Sequence, residues 1–140
     1  MIAGANPAAE VQKLHGKHGL IVTGRVPAMQ PYLSAADVVV APLRIARGVQ
    51  NKILEAMAMA KPTVGTGVAH RGLKAVPGEH MLVADEPADI ARAVLDLLSD
   101  PARRIAMGAA ARRHVIEQYG WNACLEPLDT LLGLTAQPKA

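Results

Sequence analysis

Arg44, Arg47, Lys52 and Glu55 fall within one short stretch, Arg44-Ile-Ala-Arg-Gly-Val-Gln-Asn-Lys-Ile-Leu-Glu55. Guanidinium groups grip phosphate in bidentate fashion. Gly48 stands where a helix is expected to begin. The main-chain amides of Gly48, Val49, Gln50 and Asn51 would then point out of that helix, and with the helix dipole they make an anion site. Glu55 lies further along the same helix, where a carboxylate can accept two hydrogen bonds from a vicinal diol such as a ribose. Two plainer readings stand beside these. The arginines can be solvated side chains of an ordinary loop, and Glu55 can pair with Lys52 or Lys61. The helix is otherwise so apolar that it is expected to lie between a sheet and other elements, where a lone carboxylate is costly without a partner.

Other residues with chemical potential are less well placed. Gly24, Arg25 and Val26 leave a short strand and offer a flat stretch of backbone to a planar base, or simply a strand-to-helix turn. Gly65-Thr66-Gly67 ends another strand, where two glycines allow close approach to the main chain or a tight turn. His15 and His18 have helical spacing, but Gly16 and Gly19 break that turn and no ligand set is completed, so no metal is expected. His70 and His80 lack a nucleophile motif beside them. The only serines, Ser34 and Ser99, sit in helical contexts. Cys124 reads as inert core. Arg103, Arg104, Arg112 and Arg113 read as a solvated helix face. No G-x-G-x-x-G follows a strand, which disfavours a dinucleotide-binding dehydrogenase.

The elements that must hold these residues alternate. Strands are expected at Leu20–Thr23, Asp37–Leu43, Pro62–Thr66 and Met81–Ala84, with the end of another at Met1–Asn6. Helices are expected at Ala8–Leu14, Met29–Ala36 and Val49–Ala60. A glycine-punctuated loop runs from Gly67 to Gly78. Beyond it, Asp85–Asp89 opens a helix continuing to Leu98, and Asp100-Pro101 opens another reaching Tyr119. Asn122 caps a third over Ala123–Leu132. This order predicts an α/β fold, a Rossmann-like parallel sheet with helices on both faces, whose ligand sits at the carboxyl ends of the strands. One domain over 1–134 is expected, with a frayed tail at 135–140.

Composition narrows the class. The 140 residues are 51% hydrophobic and 19% charged, with two Tyr, one Trp and no Phe. Ala, Val, Leu and Met must therefore fill the core. The net charge is +3. With so few aromatics and no reading motif, nucleic acid is not the expected partner. No apolar run approaches the ~20 residues that span a bilayer. The single Cys124 makes no internal disulfide, which fits a reducing compartment and a cytoplasmic location.

Together these segments resemble the carboxyl-terminal domain of retaining GT-B glycosyltransferases of the family 4 type, and most closely the sugar transferases of bacterial exopolysaccharide clusters. The resemblance rests on Val22-Thr-Gly-Arg-Val26, Tyr32-Leu-Ser-Ala-Ala-Asp37, Ala41-Pro-Leu-Arg-Ile-Ala-Arg-Gly48, Asn51-Lys-Ile-Leu-Glu-Ala-Met-Ala58, Lys61-Pro62, Gly72 and Tyr119-Gly-Trp121. It implies a nucleotide-diphosphate sugar as donor substrate, with no cofactor and no catalytic metal. By that resemblance Glu55 binds the ribose hydroxyls, the amides at Gly48 to Gln50 hold the diphosphate, and the main chain near Arg25 and Val26 meets the base. Arg47 stands where the family places a second Glu, and would serve phosphate instead. Ala60 replaces the usual Gly before Lys-Pro, which suggests a small packing change.

The resemblance further implies that the sheet's first strand and the amino-terminal acceptor domain are missing. The gap in the sheet is expected to be met by rearrangement, or by a homodimer formed through strand pairing or exchange. The implied activity is the donor-binding half of a transferase, inactive alone. Its setting would be polysaccharide synthesis in a bacterial cytoplasm or at the inner membrane surface. A stand-alone nucleotide-sugar-binding or interaction module, or part of a nucleotide-sugar epimerase, is the alternative.

Overall fold

The computed structural model describes residues 1–132, so the expected tail at 135–140 lies outside the described residues. The chain divides into two compact units, Met1–Ala36 and a second that begins at Asp37.

In the first unit, Ile2 and Val22 form a parallel bridge, tied by Ile2 N–H to Ile21 O at 2.7 Å and Thr23 N–H to Ile2 O at 3.0 Å. The strands expected at 1–6 and 20–23 shrink to this single pairing. Around it lie α1 (Ala9–Gln12), a 3-10 turn at Lys17–Gly19 and α2 (Gln30–Ala35). The His15 ring accepts the Val22 amide at 3.1 Å, so this histidine closes the turn onto the strand.

In the second unit, β1 (Val39–Ala41), β2 (Thr63–Gly65) and β3 (Leu82–Val83) form a parallel sheet in that order. Val39 pairs with Thr63 and Val64 with Leu82. α3 (Asn51–Ala58) joins β1 to β2, and α4 (Gly67–His70) follows β2 where a loop was expected. Thr66 caps α4: its oxygen accepts the Ala69 amide at 3.2 Å. α5 (Pro87–Ser99), α6 (Pro101–Tyr119) and α7 (Trp121–Leu131) complete the unit. Asp100 caps α6 by accepting the Arg103 amide at 2.9 Å. α7 begins at Trp121, two residues before the start expected from an Asn122 cap.

Strand alternation sends residues to two cores. Ala41 and Val83 join Ile53, Met57, Leu73, Met81 and Ala111 on the α3 side. Val64 joins Leu97 and Met107, with Val38, Leu82 and Ile90 against them, on the α5 side. Helices therefore cover both faces, as expected. The β1 ladder is three residues long where seven were anticipated. β1 is an edge strand of its sheet, and its chain turns at once, Leu43 N–H reaching Ala41 O at 2.9 Å. Val40 lies in register with the buried Val64, yet it is 41% exposed.

Several side chains depart from expectation. Cys124 is exposed, not core. The late arginines are not all solvated. Arg104 pairs with Asp37 at 3.4 Å, and Arg112 donates to the Ala58 carbonyl at 2.9 Å. Ala60 adopts a left-handed conformation, φ 55°. Its amide reaches Met57 O at 2.9 Å, and the Lys61 amide reaches Ala56 O at 3.0 Å. This is a Schellman termination of α3 with alanine in the glycine position. At residue 60 alanine therefore occupies a left-handed backbone position that favours glycine.

Candidate functional site

The second unit places the expected anion site at the carboxyl end of β1. After Ala41 the chain runs through Pro42 to Gln50 before α3 begins at Asn51, two residues later than expected. Gly48 bends the loop with φ 61°, a left-handed value that suits glycine. Gln50 holds the bend: its side-chain amide donates to the carbonyls of Arg47 and Gly48, each at 3.1 Å. The Thr66 hydroxyl donates to Leu43 O at 2.6 Å and ties the loop to the start of α4. Gly72 lies against the far side of the bend. A Cβ there would collide with the Gly48 carbonyl oxygen and stand 2.7 Å from its carbon. The reason for glycine at 72 is therefore a close approach of two backbones.

This framework leaves a set of donors free. Among the described residues, the main-chain amides of Gly48, Val49, Gln50, Asn51 and Lys52 have no acceptor. The first bonds of α3 start with Ile53 and Leu54, both to Gln50 O. Two of these amides belong to the first turn of α3, and the other three precede it. Gly48, Asn51, Lys52, Arg44 and Arg47 are exposed. The side chains of Arg44, Arg47 and Lys52 have no ion-pair partner among the described residues. The result is a cluster of unsatisfied amides and cations at a helix start, a pattern that attracts anions.

Glu55 is exposed, which corrects the expectation of a carboxylate sandwiched in an apolar helix. α3 is amphipathic: Ile53, Ala56 and Met57 are buried, while Asn51, Lys52 and Glu55 are not. Glu55 lies four positions after Asn51, so they share a face, about 6 Å apart along the axis. Among the described residues the Glu55 carboxylate has no hydrogen bond or ion pair, so neither Lys52 nor Lys61 neutralises it.

Gly24, Arg25 and Val26 belong to the first unit. Gly24 has φ 67°, and its carbonyl accepts from the Thr23 hydroxyl at 2.9 Å and the Gly4 amide at 3.2 Å. Arg25 is exposed and Val26 half-buried. Gly65-Thr66-Gly67 works as a cap and tether, with the Gly67 amide held by Asp85 at 2.8 Å.

Sequence reasoning missed the ring cluster behind Gly72. His80 and His114 stack with centroids 4.1 Å apart, and Tyr119 meets His114 edge-on. The Tyr119 oxygen accepts the Lys74 amide at 2.8 Å. Burial, and next the neighbouring His80, push the His114 pKa below its ordinary value of 6.5. Only the clustering of aromatic character around 114–121 hinted at these contacts.

A parallel α/β sheet whose first crossover helix begins in a cation-flanked loop is an arrangement that many phosphate-binding folds share. A family profile, Glycosyl transferases group 1, matches residues 1–100, and the chain belongs to that family. Its fold is that of GT-B glycosyltransferases. The chain is 31% identical to the GDP-mannose-dependent monoacylated alpha-(1-6)-phosphatidylinositol monomannoside mannosyltransferase of Corynebacterium glutamicum, over 71% of this chain and 28% of that protein. Sucrose-phosphate synthase from Thermosynechococcus elongatus superposes with a TM-score of 0.76 at 23% identity, covering 94% of this chain and 36% of the other. Anabaena Alr3699/HepE, solved in complex with UDP, superposes with a TM-score of 0.80 at 15% identity, covering 95% and 40%. The chain thus spans less than a third of the curated relative's length.

Proposed function

We propose that this chain is the donor-binding half of a sugar transferase that keeps the anomeric configuration, and that it takes a nucleotide-diphosphate sugar. The observation that carries the reading is the run of five acceptor-less amides at Gly48–Lys52, with Arg44, Arg47 and Lys52 beside it. A diphosphate supplies several charged acceptors to such a cradle, and charge-assisted hydrogen bonds are the stronger kind. The same donors would stabilise the leaving nucleoside diphosphate as the glycosidic bond to phosphate breaks. No cofactor or metal is then required. Arg47 replaces an acidic side chain at this point of the family's pattern and adds to the phosphate charge balance. Glu55, exposed and unpartnered one turn down the helix, is free to accept from both ribose hydroxyls. The Gly24–Val26 backbone is assigned to the base on the resemblance alone.

A separate acceptor domain completes the reaction, because glycosyl transfer needs water exclusion and alignment that one half of a cleft does not supply. Family 4 membership, polysaccharide synthesis and a cytoplasmic place at the inner membrane surface belong to the same proposal. Among the described residues no helix is long and apolar enough to cross a membrane. The open edge of β1, uncharged from Val38 to Ala41 with Val40 exposed, is the surface we assign to homodimer strand pairing. Val40→Lys should shift a dimer to monomer in light scattering, and an unchanged mass would remove that assignment.

Isothermal calorimetry with UDP and GDP tests the main reading. Glu55→Gln should weaken nucleoside diphosphate binding by about 1–3 kcal/mol, the scale of a hydrogen bond to a charged group. Heat absent with both nucleotides would defeat the proposal. Unchanged affinity in the variant would return Glu55 to a solvated surface role.

A further inference from the structure

The segment from Gly72 to His80 does two things at once. At one end Gly72 presses on the Gly48 carbonyl, the bend from which the five free amides start. Further along, at Lys74 and again at His80, it is fastened to α6. Lys74 N–H donates to the Tyr119 oxygen at 2.8 Å, and His80 stacks on His114 at 4.1 Å with an interplanar angle of 25°. Between these points Leu73 and Ala75 are buried in the α3-side core. His70 helps from α4, its Nε2 lying 2.7 Å from Ala75 O. The segment therefore supports the cradle from behind, and its far anchor is a pair of imidazoles.

That anchor is built for neutral rings. His80 Nδ1 accepts the Val76 amide at 3.0 Å, so its hydrogen is on Nε2, which faces Glu79 at 3.5 Å. His114 Nε2 is buried and has no hydrogen-bond partner. A proton added to His114 would put a positive charge beside a stacked ring and away from water. The charges around it are mixed: Glu117 and Glu79 favour that proton, while His80 and Lys74 oppose it. A buried polar atom left without a partner in a folded protein calls for an explanation.

We propose that the His80–His114 stack is a proton-sensitive clasp that holds the 72–80 segment against the Gly48 bend and so positions the amides of the cradle. The part concerning ligand affinity rests on the function proposed above. The mechanical part does not. The sign follows from linkage. Because burial lowers the His114 pKa from 6.5, the unfolded chain takes up its proton first as pH falls. The clasp's contribution is complete above about pH 6.5, the ordinary histidine value, and declines below it.

The test is nuclear magnetic resonance of the whole chain between pH 8 and 5, following the His114 ring and the amides of Gly72 and Gly48. Both amides should shift with the midpoint of the His114 ring, and His114→Phe, which keeps a stacked ring without a titrating group, should abolish that midpoint. Should that variant not fold, the wild-type titration decides alone: His114 titrating with no response at Gly72 and Gly48 overturns the clasp. The same response persisting in His114→Phe also overturns it. Calorimetry with UDP at pH 7.5 and 5.5 adds the functional arm, because wild type should lose severalfold more affinity than His114→Phe, both sharing the titration of the ligand. Equal losses would sever the clasp from the cradle. If UDP binds at neither pH, the functional proposal fails while the amide shifts still judge the clasp.

Discussion

The two ends of α3 face opposite demands. At its first turn, and in the loop before it, five main-chain amides from Gly48 to Lys52 have no acceptor among the described residues, and Glu55 stands exposed beside them. At its last turn the carbonyls are taken. Ala56 and Met57 accept from Lys61 and Ala60, Ala58 accepts from Arg112, and Gly108 of α6 fits against the Ala60 carbonyl. One end is closed by tertiary packing, and the other is held open by a glycine bend and a side-chain brace. Every helix leaves its first amides without an intrahelical acceptor, so the contrast lies in the last turn, which tertiary packing closes, while the first turn keeps its donors available for the phosphate contact proposed above. The same residue type, glycine, serves both ends for different reasons: a left-handed bend at 48, and room for a neighbouring backbone at 72 and 108.

Changes at the closed end should affect stability, and changes at the open end should affect binding alone. The largest effect is expected from Gly108→Val. Its Cβ would strike the Ala60 carbonyl oxygen and lie 2.8 Å from the carbonyl carbon. Backbone offers no side chain to move aside, so urea unfolding should report a loss of about 3 kcal/mol, the upper range for overpacking. A loss below 1 kcal/mol would mean that α6 does not press on α3 as described.

At the open end, Asn51→Pro isolates one donor. Proline fits the first position of a helix, and Gln50 before it is already extended at φ −93° and ψ 90°. Removing that N–H should weaken UDP binding by about 1.5–3 kcal/mol, as for a hydrogen bond to a charged acceptor, with little change in unfolding. Asn51→Ala controls for the side chain. Equal affinities in the two variants would show that the amide does not meet the ligand.

Smaller effects return to the closed end. Arg112→Met keeps the alkyl stem and loses the bond to Ala58 O, which should cost about 1 kcal/mol of stability, with nucleotide affinity unchanged. Ala60→Gly should stabilise the chain by up to about 1 kcal/mol, because glycine enters the left-handed region without a Cβ penalty. A destabilised glycine variant would indicate that the alanine methyl packs usefully at that point.

Apart from α4, which formed where a loop was expected, the type and order of the second unit's elements were readable from residue pattern. Continuous Val at 38–40, the apolar row Ile53, Ala56 and Met57, and caps such as Asp100 before Pro101 are local signals with local causes. Gly48 before the expected helix start and the cations at 44, 47 and 52 also pointed to an anion site before any contact was known. What sequence pattern misjudged depends on neighbours. Strands expected at 1–6 and 20–23 formed one bridge, and seven residues at β1 formed a ladder of three, because a ladder needs a partner as well as β propensity.

Sequence alone therefore determined the alternating α/β order, the glycine-led entry to α3 and the chemistry of the loop at 44–55, since each follows from backbone preference and charge along a few neighbouring residues. Tertiary structure alone decided that Glu55 is exposed, that Ala60 is strained, that Gly72 touches Gly48, and that His80 meets His114. The meetings of Gly72 with Gly48 and of His80 with His114 depend on surfaces brought together from distant parts of the chain, and no local spacing encodes them.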